Sequence, residues 1–305
     1  MSILSVGTVA FDAIETPFGK TDKIIGGAST YFCLAASFFS KKINLISVVG
    51  GDFPESAIEM LEKHNVNTKG LQIIQDEKTF FWSGKYRQNM NIRDTLETQL
   101  NVLEKFNPMI PENFKQPDFL MLGNLTPSTQ KKAVDQIIKK PKLIVLDTMN
   151  FWMDHFMSDL KEVLKQVDVL TINDEEARQL SCEESLVKAA KIILKMGPKY
   201  LIIKKGEHGA LLFDNNDMFF APAIPLENVL DPTGAGDSFA GGFVGYLDQC
   251  GETSFESMKK ALVNASAIAS FCVEKFGTQR LIEITQKDLE KRINEFINLV
   301  KVDLK

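Results

Sequence analysis

Residues 231–243 read DPTGAGDSFAGGF, and this stretch decides the fold. Pro232 and Gly234 force a tight turn, and the run AGGFVG from Ala240 to Gly245 gives a helix a face of small residues for close packing. Glycine costs stability inside a helix and is needed only where the backbone bends unusually or something approaches it closely. Gly234, Ala235 and Gly236 would present backbone N–H groups at a helix N-terminus, where anions are stabilised. Asp237 then falls in the first helical turn. There the helix dipole favours the ionised carboxylate, which suits a base that accepts a proton from a hydroxyl. A capped helix start accounts for two glycines and one aspartate equally well. Only the full heptad D-x-T-G-A-G-D is more specific.

Working outward, short apolar runs alternate with helical patterns. ILSVG (3–7), INLISVVG (43–50), FLMLGN (119–124), LIVLDT (143–148), DVLTIN (168–173) and YLIIKK (200–205) are apolar on both faces, as in the buried strands of a parallel sheet. Helical patterns fall at about 28–40, 54–65, 127–139, 158–166, 174–181 and 185–196, with late helices at about 236–249, 254–274 and 286–300. The expectation is an α/β layered fold with ligands at the carboxyl ends of the strands. Residues 12–25 and 79–100 break the alternation and predict a small β-layer, either a lid or a dimerising flap. No repeat, low-complexity segment or long linker divides the chain, so 1–305 reads as a single domain.

The chain has 305 residues, 44% hydrophobic and 25% charged, within the range of soluble globular proteins. The start MSILSVGTVAFD lacks a signal-peptide layout and no apolar run is long enough for a membrane span. Cytoplasmic residence without a membrane partner is expected. Cys33, Cys182, Cys250 and Cys272 are scattered and read as reduced thiols. A net charge of −5 without a basic arm argues against nucleic acid as a partner. No G-x-G-x-x-G opens the first βα turn, which disfavours a dinucleotide oxidoreductase, and no GxxxxGK[ST] occurs, which disfavours a Walker-type NTPase.

The heptad resembles the signature of the ribokinase-like (PfkB) carbohydrate and nucleoside kinases, and the resemblance extends over nearly the whole chain. Gly26-Gly27 matches the family's early double glycine, and VVGGDFPES (48–56) its VGxVGxDxxG segment without the last glycine. Asn173-Asp174-Glu175-Glu176 matches N-x-x-E, and KKGEHGALLF (204–213) the glycine-bearing nucleotide segment. The resemblance implies a three-layer α/β/α fold with a mainly parallel central sheet and a small β lid. It implies an ATP-dependent kinase that phosphorylates a hydroxyl of a small sugar or nucleoside. Asp237 would be the general base and the 234–236 amides the anion hole. Asp12, Gly26 and Gly27 would bind the acceptor, with Tyr31 and Asn150 beside it. Glu176, with Asn173, would organise Mg²⁺ through water. Lys205, with Gly206 and Gly209, or else His208, would meet the nucleotide, and Asn264 and Gly277 its adenine. Asp231 and Thr233 would flank the monovalent-cation site, for K⁺, that many relatives build.

Two departures bear on the acceptor. Tyr31 stands where the family often has asparagine, and in Asp147-Thr-Met-Asn150-Phe-Trp152 an aromatic replaces the arginine of D-x-N-x-R. Loss of that arginine argues against a phosphorylated sugar, although Arg87 or Arg93 could restore a positive anchor. Phe80, Phe81, Trp82 and Tyr86 add rings that stack on a nucleobase or a sugar face, or simply pack the lid. A sugar and a nucleoside stay balanced as acceptors, and a non-catalytic metabolite-binding homologue is the further alternative. Lid strands with open edges suit a homodimer.

Overall fold

Strands buried on both faces set the architecture of the computed structural model, which describes residues 1–301. In chain order they are β1 (Ile3–Val6), β2 (Ala10–Thr16), β3 (Gly19–Lys20), β4 (Ile24–Gly26) and β5 (Ile43–Gly50). Then come β6 (Val66–Ile74), β7 (Phe81–Tyr86), β8 (Arg93–Gln99), β9 (Phe119–Leu122) and β10 (Leu143–Asp147). The last four are β11 (Val169–Asn173), β12 (Tyr200–Lys204), β13 (Ala210–Phe213) and β14 (Met218–Ala221). Nine of them form one sheet in the order β14-β13-β12-β11-β10-β9-β1-β5-β6. Only the β12–β13 and β13–β14 pairs within it are antiparallel.

Successive residues of the central strands feed opposite cores, as the period-two geometry of a strand requires. Leu4, Ile46, Leu120, Ile144, Leu170 and Leu201 pack with Ala133, Leu160, Ala177 and Ala189 from helices on one side. Ile3, Leu45, Phe119, Val145, Val169 and Ile202 pack with Leu34, Phe243 and Ile268 on the other. The result is the expected three-layer α/β/α sandwich with a mainly parallel sheet. The sequence reading misses the edge strands β6 and β14, which carry polar or half-exposed positions, and the four-residue β13 between β12 and β14. It also misses the short helices Asn150–His155 and Gln279–Glu283. No helix among the described residues is long and apolar enough to cross a membrane.

From β1 the chain runs to β5 and β6 on one side, whereas β9 to β12 extend the sheet on the other. A crevice opens at such a reversal, at the carboxyl ends of the strands. A second sheet, β3-β2-β7-β8 with β4 on β2, is built from the stretches 12–25 and 79–100 together with the two residues before Asp12. In its parallel β2–β7 pair, Asp12 stands opposite Trp82. Asp12 and Trp82 therefore share one face, and Phe11, Ala13 and Phe81 the other.

The small residues of the helix Ala235–Cys250 permit close contact with its neighbours. A Cβ on Gly241 would lie 2.3 Å from the Phe32 carbonyl oxygen, and one on Gly242 would lie 2.4 Å from Ile268 Cγ2. Helix propensity favours alanine over glycine by about 1 kcal/mol. Overpacking costs about 1–3 kcal/mol, and the obstacle at Gly241 is rigid backbone. Gly241→Ala should therefore lower the denaturant midpoint despite its better propensity. An unchanged or raised midpoint in equilibrium unfolding would refute this account of the packing.

Candidate active site

The helix Ala235–Cys250 begins from Gly234, held at φ +75°. A Cβ at Gly234 would stand 2.3–2.5 Å from three atoms of the Tyr31 ring, so only glycine lets the turn lie flat on that ring. Tyr31 is buried, and its hydroxyl has no hydrogen-bond partner among the described residues. Asp231 pins the turn from within: its Oδ1 accepts the Thr233 N–H at 2.9 Å and its Oδ2 the Gly277 N–H at 2.8 Å. Thr233 Oγ1 donates to the Tyr86 hydroxyl at 3.1 Å, which ties the turn to the small sheet.

Three neighbouring strands end in polar residues beside this turn: Asp147 on β10, Asn173 on β11 and Lys204 on β12. Lys204 Nζ donates to Asp147 Oδ2 at 2.7 Å, with both side chains largely buried. A Cβ on Gly236 would come within 3.1 Å of the same Nζ, so the ammonium lies against the glycine turn. Asn173 caps the helix Asp174–Ser181 in a reciprocal box, its Oδ1 accepting the Glu176 N–H and Glu176 Oε2 accepting its own N–H.

Burial pushes the Glu176 carboxyl up to about 7, with Asp147 adding to the effect and Lys204 opposing it. Asp237 is raised for the same reasons, burial first and Asp147 second, against Lys204 and Arg93. The helix dipole was expected to favour ionised Asp237. It contributes about 0.3–1 kcal/mol, whereas burying a carboxylate costs several kcal/mol, so burial wins. Burial would pull Lys204 down, but Asp147, Glu176 and Asp237 together hold it above its ordinary value.

Asp12 faces this group from β2. Its carboxyl rises to about 7 through burial, and the charges of Asp231 and Asp237 add to this against the Gly27 N–H and Arg93. A Cβ on Gly26 would fall 1.9 Å from Asp12 Oδ2, and one on Gly27, at φ +95°, would fall 2.6 Å from the Thr8 carbonyl oxygen. The double glycine is thus the space in which Asp12 and the entry to the helix Ala28–Ala36 fit. Trp82 lies on the same face of the small sheet as Asp12, with the Arg93 guanidinium 5.0 Å from its ring. Arg87 instead pairs with Asp94 at 2.8 Å in solvent. Of the two arginines, Arg93 is the one whose charge reaches Asp12, Glu176 and Asp237.

The structure therefore gathers Asp12, Gly26, Gly27, Tyr31, Asp231, Thr233, Gly234, Ala235, Gly236 and Asp237 with Glu176. Other candidates have different engagements. Asn150 donates to Gln179, and Trp152 Nε1 donates to Asn124 at 2.7 Å. Asn264 donates to the Lys260 carbonyl of its own helix at 2.8 Å. Lys205 follows the end of β12, and His208 is exposed beside Glu207. Gly206 and Gly209 take φ +54° and +87° in that loop, and a Cβ on Gly206 would meet Asn91 Oδ1. Lys204 and Asp147 escaped the sequence reading as site residues, although each ends a buried strand with a charge. A cavity of about 340 Å³ lined by Lys23, Asp52, Lys78, Thr79 and Phe81 opens on the face of the small sheet that carries Ala13 and Phe81. Asp12 points to the opposite face, so this cavity is separate from the residues gathered round the glycine turn.

Comparison with known proteins matches residues 2–285 to the pfkB family carbohydrate kinase model. A cytidine kinase of Thermococcus kodakarensis is 27% identical over 274 residues, covering 86% of this chain and 96% of that one. A ribokinase of Haemophilus influenzae is 26% identical over 286 residues, 90% of each. The crystal structure of the Methanocaldococcus jannaschii nucleoside kinase superposes with a TM-score of 0.77 at 21% identity, covering 97% of this chain and 99% of that chain. The chain belongs to the pfkB family of carbohydrate kinases.

The raised Asp12 carboxyl has a consequence for stability. In the unfolded chain an aspartate titrates at about 3.9, whereas folded Asp12 titrates at about 7. Between these values the folded state holds a proton that the unfolded state has released, so this group's contribution falls as pH rises through the window. Asp12→Asn removes the dependence and keeps an acceptor for the Gly27 N–H. Its gain in thermal midpoint over wild type should be larger at pH 8 than at pH 5, and an equal or reversed gain in calorimetry would contradict the burial of this charge.

Proposed function

From membership of the pfkB family of carbohydrate kinases, we propose that the chain is an ATP-dependent kinase acting on a hydroxyl of a small nucleoside, with a free sugar as the second reading. The observation that carries the kinase reading is a half-buried acid, Asp237, in the first turn of a helix whose start carries only Gly234, Ala235 and Gly236 before it. The acceptor hydroxyl attacks the γ-phosphorus. A new O–P bond forms, the bridge to the β-phosphate breaks with its electron pair leaving on ADP, and Asp237 takes the hydroxyl proton. A pKa raised towards neutrality suits that duty. The amides of Gly234, Ala235 and Gly236 hold the phosphoryl oxygens as charge builds on them. Asp12 and the backbone of Gly26 and Gly27 take the acceptor's hydroxyls, and the loop of Lys205, Gly206 and Gly209 takes the nucleotide.

The donor set fits a magnesium ion held through water. Magnesium keeps much of its hydration and needs only one or two carboxylates beside substrate phosphates. Glu176 Oε2 is committed to the Asn173 N–H, and a cation beside this carboxylate would relieve the burial and the Asp147 charge that raise it. When bound, magnesium neutralises phosphate charge.

Trp82 favours the nucleoside. Its indole shares the site-facing side of the small sheet with Asp12, so a ribose bound at Asp12 could turn its base towards a stacking surface. The similar cytidine kinase supports the same choice, and the similar ribokinase supports the sugar. A coupled ADP-release screen with Mg·ATP should give higher kcat/KM for nucleosides than for ribose; the reverse order would select the sugar. Asp237→Asn should lower kcat by about 10²-fold or more with nucleotide affinity intact, and near-normal turnover would remove Asp237 as base. Trp82→Ala should raise the nucleoside KM about tenfold; an unchanged KM would show that the indole merely packs the small sheet.

A further inference from the structure

Four carboxyl groups stand round the glycine turn, and three of them feel another's charge: Asp12 that of Asp237, Glu176 and Asp237 that of Asp147. The whole chain carries a net charge of −5. A triphosphate entering such a cleft needs positive charge fixed where its terminal phosphoryl group will sit. Lys204 is placed for this. Its side chain is 17% exposed, its Nζ is held 2.7 Å from Asp147 Oδ2, and the ammonium stands within 3.1 Å of where a Gly236 Cβ would be. Buried ion pairs are weak stabilisers, and apolar pairs often replace them without loss. This one lies at the carboxyl ends of β10 and β12, where ligands of open α/β sheets bind, and not in either core.

We propose that Lys204 is a catalytic side chain that supplies positive charge to the phosphoryl group in transit, and that Asp147 is the positioning residue that aims it. The inference rests on the kinase reading above. Lys204 keeps its protons throughout: the hydroxyl proton goes to Asp237 and the electron pair of the broken bridge leaves with ADP. One of the three ammonium donors goes to Asp147, and the others serve the phosphoryl oxygens as a point charge. A preorganised charge in a site poor in water gains most as the transition state forms. Asp147 holds that charge on the side of the turn where a Gly236 Cβ would stand and keeps it from pairing with Asp237.

The test uses the full chain with whichever acceptor wild type turns over. Wild type inert towards every nucleoside and sugar would overturn the kinase reading itself, and this inference with it. Lys204→Met alone would strand Asp147, so the clean variant is Lys204→Met/Asp147→Asn, with Lys204→Gln as a second that keeps a donor to Asp147 but no charge. Both should lower kcat by about 10²–10³-fold. Both should weaken a non-hydrolysable ATP analogue about tenfold and leave ADP affinity unchanged, because only ATP carries the group that Lys204 meets. Lys204→Arg should recover part of the lost turnover. A folded double variant or Lys204→Gln with near-wild-type kcat, or an equal loss of ATP analogue and ADP, would show that the pair is structural and overturn the proposal.

Discussion

Asp231 is completely buried, and its two oxygens are spent on backbone N–H groups, those of Thr233 and Gly277. Hydrogen bonds to a charged group contribute about 1.5–3 kcal/mol each, enough to fix a short segment that contains no regular structure. From this tie the rest follows in order. Pro232 and Thr233 are set, Gly234 adopts its left-handed conformation against Tyr31, and the next helix starts with no side chain capping it, the Ala235 N–H donating to the Pro232 carbonyl at 3.2 Å. A side chain at 234 would have to displace an aromatic ring, and one at 236 would crowd Lys204. The two glycines on either side of Ala235 thus keep the backbone before Asp237 close to Tyr31 and Lys204.

The electrostatics of the site run against the simplest expectation. A helix start attracts negative charge, yet Asp237, Glu176 and Asp12 all titrate above ordinary carboxylates because they are taken out of water among other acids. Lys204 and Arg93 oppose this without cancelling it. The cleft thus holds protons that a cation or a substrate hydroxyl would redistribute. A base poised in this way is better matched to neutral pH than one with an ordinary carboxylate pKa.

Much of this was legible beforehand, for identifiable reasons. The six double-faced apolar runs became parallel strands because only a strand covered on both sides tolerates that composition. The glycines at 26, 27, 234 and 236 announced close approach, although the sequence could not say that the approaching groups are Asp12, Thr8, Tyr31 and Lys204. Lys204 and Lys205 look alike in the sequence. The end of β12 separates them, and a one-residue step changes the face on which a side chain stands. Arg87 and Arg93 posed the same problem on the small sheet, where a register shift between Ser83 and Gly84 blurs the alternation. N-x-x-E proved to be a capping box as well, so one pair of side chains both starts a helix and stands beside the site.

The contact between Gly206 and Asn91 joins two parts of the molecule far apart in sequence, the loop after β12 and the connection between β7 and β8. Its effect is architectural. The small sheet thus rests on the loop that leaves the main sheet, and any side chain longer than a hydrogen at position 206 would wedge the two apart.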